Sequence, residues 1–221
     1  MHVIEALQQR KSVRAFLSQA VEKNKIDAIL RAASYAPSAV NTQPWQVAVI
    51  SGEKKKHLEQ VIEQAFRAGD KGKTDYTYAP QEWVLPYKNR RKSCGLQMYA
   101  TLDIKREDKQ RQIDQWAANY RAFDAPVLLL FFMDSSLEKG SFLDYGLFLQ
   151  SLMLAATEQG LATCAQAAFA QYPHLIKPVL NIPLDTVLIC GMALGYEDTE
   201  ALINHYRTPR EELSSFVSYY D

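Results

Sequence analysis

Residues 126–160, PVLLLFFMDSSLEKGSFLDYGLFLQSLMLAATEQG, set two kinds of apolar pattern side by side. In PVLLLFFMD every side chain from Val127 to Met133 is apolar, and a run this short predicts a strand buried on both faces. LDYGLFLQSLMLAATEQG (143–160) is too long for a strand and apolar almost all round. Such a helix belongs at the centre of the molecule or against a partner subunit, with Gly160 as its C-terminal cap.

Working outward, WQVAVI (45–50) is a second short apolar run closed by Ser51-Gly52 and reads as a buried strand. Leu58, Val61, Ile62, Ala65 and Phe66 then share one helical face. Helical spacing also links Val3, Ile4 and Leu7, and Ile26, Ile29, Leu30 and Ala33 ahead of Pro37. Ile113, Trp116, Ala117 and Tyr120 form a stripe within the charged stretch 106–121. LATCAQAAF (161–169), a helix near 173–180, a strand TVLICGMAL (186–194) and a polar tail complete the chain. Strands and helices mix without a regular βαβ series, which predicts an α+β fold. Residues 70–95 lose periodicity but carry Tyr76, Tyr78, Trp83 and Tyr87, so an ordered aromatic excursion is expected there. With no repeat, low-complexity tract or linker, residues 1–221 read as a single domain.

Lysine plus arginine equals aspartate plus glutamate at 25 each, which argues against nucleic acid as a partner. No segment approaches the roughly 20 apolar residues that span a bilayer. Three cysteines without a CxxC pair fit a reducing cytoplasm. The four histidines are dispersed, so no metal site is expected. Cys164 stands among small apolar residues and reads as a buried hydrophobe, not a nucleophile. With 9 glycines and neither GxGxxG nor GxxxxGK[ST], any phosphate must be held by side chains.

Three polar features stand out. RKSVRAF (10–16) concentrates Arg10, Lys11 and Arg14 around Ser12, and HYRTPREEL (205–213) places Arg207 and Arg210 around Thr208-Pro209. Guanidinium forks match phosphate oxygens, so the two clusters together suit a dianion. Solvated basic faces, or an ion pair of Arg210 with Glu211 or Glu212, are the alternative. Between them APSAVNTQPW (36–45) packs Pro37, Ser38, Asn41 and Gln43 at a helix-to-strand junction, more polar equipment than a turn requires.

RKSVRAF, APSAVNTQPW, GLATCAQAAF and RTPREEL, in this order, resemble the nitroreductase family of FMN-dependent oxidoreductases. The likeness runs from Val3 to the tail and is strongest to the nitrobenzoate-reductase-type branch, in which an aromatic segment precedes an NYRAFDAPV-like stretch. The resemblance implies a nitroreductase-like α+β fold with a mixed, mostly antiparallel central sheet flanked by helices. It also implies an interlocked homodimer with FMN at the interface, which would cover the helix at 143–160.

By similarity, Arg10, Lys11, Ser12 and Arg14 hold the FMN phosphate, ribityl chain and pyrimidine side, Lys11 mainly through its backbone. A cation near flavin N1 and O2 stabilises the negative charge placed there on reduction. Pro37, Ser38, Ala39, Asn41 and Gln43 match a segment that reaches the flavin of the other subunit. Ala165, Gln166, Ala167 and Ala168 match the stretch beneath the ring, near N5. Arg210 is the better match to the family's phosphate-binding arginine, Arg207 the second. The resemblance further implies NAD(P)H as reductant and a nitroaromatic, quinone or similar small acceptor, both stacking in turn on one flavin face in ping-pong kinetics. The protein then needs no catalytic residue of its own. Tyr76, Tyr78, Trp83 and Tyr87 are the expected lid over that face, and Arg121 a group facing an acidic substrate. Enone reduction, reductive dehalogenation, flavin fragmentation and non-catalytic flavin binding would use the same motifs.

Overall fold

A computed structural model describes residues 1–221. In chain order the elements are α1 (Val3–Gln9), α2 (Lys23–Ala33), β1 (Gln46–Ser51), α3 (Gly52–Arg67), α4 (Tyr87–Thr101), α5 (Lys109–Ala117), β2 (Val127–Asp134), α6 (Gly140–Glu158), β3 (Ala162–Gln166), α7 (Pro173–Leu180) and β4 (Thr186–Gly195). The strands form one sheet in the order β1-β2-β4-β3, every pair antiparallel. The parallel component reduces to a single bridge between Ser12 and Thr163.

Strand β2 is central, and its continuous apolar run follows from burial on both faces. Val127, Leu129, Phe131 and Met133 join α2 and α6 in one core, and Leu128, Leu130 and Phe132 join α3 and α7 in the other. Helix α6 buries Tyr145, Phe148, Leu152 and Ala156 but leaves Leu143 72% exposed. Gly160 closes the helix at φ 71°, a backbone angle that disfavours a Cβ. The result is an α+β fold with an antiparallel sheet between two helical layers.

Two local features position the site. Strand β3 stops at Gln166 opposite Gly191, so the edge of β4 before that point is open. In the same place β4 carries a bulge, Ile189 having no partner across from Phe131 and Phe132. A strap of chain covers this edge. Leu188 N–H donates to Asp75 Oδ2 at 2.9 Å, and the Tyr76 hydroxyl donates to Ile189 O at 2.6 Å. The Asp75 carboxylate is also paired with the buried Lys177 Nζ at 2.9 Å, which in turn donates to Thr186 O at 2.6 Å. Gly72, at φ 66°, lies so close to Gln171 that an added Cβ would sit 2.0 Å from its carbonyl oxygen.

The aromatic excursion is therefore ordered, but its second half corrects the sequence reading. Residues from Tyr87 onward form α4, a regular helix. It buries none of its residues fully, so it has no apolar stripe to betray it.

Candidate active site

On leaving α1 the chain runs beside β3, Val13 N–H donating to Thr163 O at 3.0 Å. Asn204, buried, fixes this turn from the far end of the sequence: its Oδ1 accepts from Arg14 N–H at 2.8 Å and its Nδ2 donates to Ala15 O at 2.9 Å. Nothing in the sequence marks Asn204 for this role, since it belongs to no motif. Lys11 is part of the same tie. Its ammonium pairs with Glu197 at 2.7 Å and donates to Asn204 O at 2.7 Å, so its side chain is committed to the fold rather than to a ligand. Cys164 sits behind the turn, and burial pushes its thiol up, against the opposing pull of Arg14 and Arg10. That leaves it in the unreactive thiol form.

The two basic clusters meet. Burial, then Arg210 and Arg207, work against the charge on Arg10 and lower its pKa. Arg207 Nη2 donates to Arg10 O at 2.8 Å and to Gln9 O at 3.3 Å, capping α1. Arg210 Nη1 is held by Thr208 O and Thr208 Oγ1, both at 3.0 Å. None of the three guanidiniums forms a salt bridge, and Glu211, the carboxylate next to Arg210, pairs with Arg90 at 3.0 Å instead. Three mutually repelling cations without a counterion fit an anion site. Arg14 points elsewhere, to the Tyr206 hydroxyl at 3.0 Å, with its guanidinium carbon 5.8 Å from the centre of that ring.

Two cavities adjoin the end of β3. One, of about 660 Å³, is lined by Arg14, Tyr78, Trp83, Trp116, Ala167 and Ala168 among others. The second, of about 720 Å³, is lined by Tyr76, Phe142, Tyr145, Ala165, Gln166 and Cys190 among others. Both are walled by Thr77, Tyr78 and Ala167, so the strap stands between them. Gln166 donates from Nε2 to Asn119 O at 2.7 Å, but its buried Oε1 has no partner. Walls rich in aromatic and small side chains suit a flat ring. The residues present thus fit a phosphorylated, planar aromatic group.

The 36–45 junction does not reach either cavity within one chain. Ala39–Asn41 form a 3-10 turn whose Ala39 N–H donates to Asp144 Oδ1 of α6 at 3.1 Å. Ser38 Oγ accepts from Gln43 N–H at 2.9 Å. Val40, Asn41 and Gln43 have φ of 45°, 59° and 48°, and Val40 is 96% exposed. A β-branched residue held at positive φ on an open surface is a strained feature of the kind found at functional sites.

Beyond the 36–45 junction, Arg10, Lys11, Ser12, Arg207 and Arg210 line neither cavity, and two further expected residues, Arg121 and Tyr87, are held away from them. Arg121 pairs with Glu63 at 3.0 Å and Asp124 at 3.1 Å, so its charge is neutralised at the edge of α3. Tyr87 opens α4, exposed, where the Arg90 guanidinium lies 5.8 Å from its ring centre. Tyr76, Tyr78 and Trp83 do line the cavities.

A profile of the Nitroreductase family matches residues 7–196. The chain is 38% identical over 210 residues to a 4-nitrobenzoate reductase of Pseudomonas putida, covering 95% of this chain and 92% of that one. It is 37% identical over 219 residues to a nitrobenzene nitroreductase of Ectopseudomonas oleovorans, covering 97% and 95%. Among solved structures, an FMN and NADPH-dependent nitroreductase NfnB from sphigopyxis sp. strain HMH superposes with a TM-score of 0.97 at 34% identity, covering 100% of both chains.

Proposed function

The chain belongs to the nitroreductase family, and from that premise we propose that residues 1–221 act as one unit, an FMN-dependent oxidoreductase using NAD(P)H to reduce nitroaromatics, quinones or similar electron-poor acceptors. The observation that carries this reading is the convergence of Arg10, Arg207 and Arg210 without a counterion, together with a cavity, lined by Arg14 of the same turn as Arg10, that suits a flat ring. FMN, when bound, supplies the chemistry that the side chains lack: it accepts a hydride from NAD(P)H and delivers electrons to the acceptor.

The chain's own part is binding, orientation and electrostatics. Arg10 and Arg210 hold the phosphate, with Arg207 fixing the end of α1 behind them and Ser12 on the ribityl side. Arg14 offers a positive charge to the ring edge where reduction places negative charge. Ala165, Ala167 and Ala168, with small side chains, would let the ring lie against backbone, beside Gln166. Tyr76, Tyr78 and Trp83 wall the reaction space and exclude water. One space serving reductant and acceptor in turn gives parallel initial-velocity lines.

Exposed Leu143 and Leu147 of α6, Val3 and Ile4 of α1, and the strained Val40 turn support a homodimer. In that assembly Pro37, Ser38, Ala39, Asn41 and Gln43 complete the site of the other subunit. No helix is long and apolar enough to cross a membrane, and the three cysteines are free, which supports a cytoplasmic enzyme acting on small molecules.

The test is the absorbance spectrum of purified protein given FMN, followed by anaerobic NADH or NADPH and then a quinone. Flavin bands that bleach and return are expected. Protein that takes up no FMN ends this reading, and bound flavin without turnover favours a carrier.

A further inference from the structure

The 660 Å³ cavity is lined by sixteen residues, among them Arg14 and Arg91 but no aspartate or glutamate. Arg14 is engaged by the Tyr206 hydroxyl. The Arg91 side chain forms no salt bridge or hydrogen bond, and its guanidinium carbon lies 5.7 Å from the centre of the Trp83 ring. Its neighbour Arg90 is different, being paired with Glu211 at 3.0 Å. A guanidinium stacked on indole keeps its N–H edge free, and that edge matches a carboxylate in two-point geometry. Tyr78, Trp83, Tyr99, Trp116 and Phe123 supply aromatic walls to the same space.

We propose that this cavity selects electron-poor aromatic acceptors bearing an anionic substituent, a carboxylate above all, with Arg91 receiving the anion and Trp83 orienting Arg91. The inference rests on the oxidoreductase reading above. It moves the recognition of acidic substrate from Arg121, whose charge is spent on Glu63 and Asp124, to a cation that faces the cavity. An amide withdraws electrons from a ring more strongly than a carboxylate does. A preference for the carboxylate therefore runs against intrinsic reactivity and reports binding.

The test compares 4-nitrobenzoate with 4-nitrobenzamide on FMN-loaded wild type, Arg91→Gln and Arg91→Lys, with flavin content measured for each. In wild type the carboxylate-to-amide ratio of kcat/KM exceeds one and falls as salt is raised. In Arg91→Gln that ratio drops about tenfold, mainly through KM for the carboxylate, and loses its salt dependence, the size expected for one charge-assisted pair. Arg91→Lys recovers part of it, because an ammonium keeps the charge without the fork. An unchanged ratio in Arg91→Gln overturns the proposal. So does a shift in the NADPH-to-NADH ratio with no change between acceptors, which would assign Arg91 to the nucleotide's phosphate. Wild type that reduces neither acceptor, nor a quinone, removes the oxidoreductase reading and this inference with it.

Discussion

Replacing Asp75 by Asn leaves the Lys177 ammonium buried with two carbonyl partners, Thr186 O at 2.6 Å and Leu184 O at 3.4 Å, and no carboxylate. Both contacts fall on one oxygen, Asp75 Oδ2, so Asn Oδ1 in its place can still accept from Leu188 N–H and from Lys177 Nζ, but it brings no negative charge. Removing one partner of a buried pair costs about 3–5 kcal/mol. The Asp75 side chain retains 23% exposure against 4% for Lys177, so the lower end applies, about 3 kcal/mol. For a chain of this size that is a fall in Tm of roughly 6–12 °C. Thermal unfolding at fixed protein and FMN concentration measures it, because ligand and subunit concentration both move Tm. The double variant Asp75→Asn/Lys177→Met removes the stranded charge and should recover part of the loss, a coupling that a double-mutant cycle isolates. A shift below about 2 °C for Asp75→Asn, or a double variant whose loss equals the sum of the singles, would refute the claim that this pair clamps the strap.

Glu59 is buried beside Lys55, at 2.6 Å, and burial outweighs that attraction, raising its pKa from 4.5 to about 7. Between these values the unfolded chain has released a proton that the folded chain keeps, so stability falls as pH rises through the window; Glu59→Gln should flatten the dependence of Tm on pH there. Arg210→Ala should weaken FMN by roughly ten- to a hundredfold in a fluorescence titration, as loss of a charge-assisted phosphate contact implies. Without FMN the same variant should be no less stable than wild type, since it relieves repulsion on Arg10. A Cβ at Gly191 would meet Phe169 Cδ2 at 2.4 Å, so Gly191→Ala should cost about 1–3 kcal/mol by denaturant unfolding.

How far the sequence carried the fold depended on whether burial leaves a pattern. Val127–Met133 is buried throughout and reads at once as a strand, and the apolar spacing of 173–180 reads as the helix α7. Helix α4 buries nothing fully and left no pattern to read. In the site, Arg10 and Arg14 were visible as types and spacing, but what each touches was not. Arg121 looked available until Glu63, 58 positions away, took its charge. Arg90 and Arg91 stand together behind the aromatic excursion in the sequence, and only the place of Arg91 over Trp83 in a cavity free of carboxylates distinguishes the two. Asn204 holds three backbone groups of distant segments through one carboxamide, a role that no local pattern encodes.

Arg207 and Arg10 are 197 positions apart in the chain, which makes the arginine cluster a clasp joining two segments distant in sequence. During synthesis the early segment must wait, its guanidiniums solvated, until the residues around Arg207 have emerged. On the proposed reading, cofactor capture by this cluster follows that step, and an anion bound there becomes a bridge across the intervening loop, tethering two segments whose own charges push them apart.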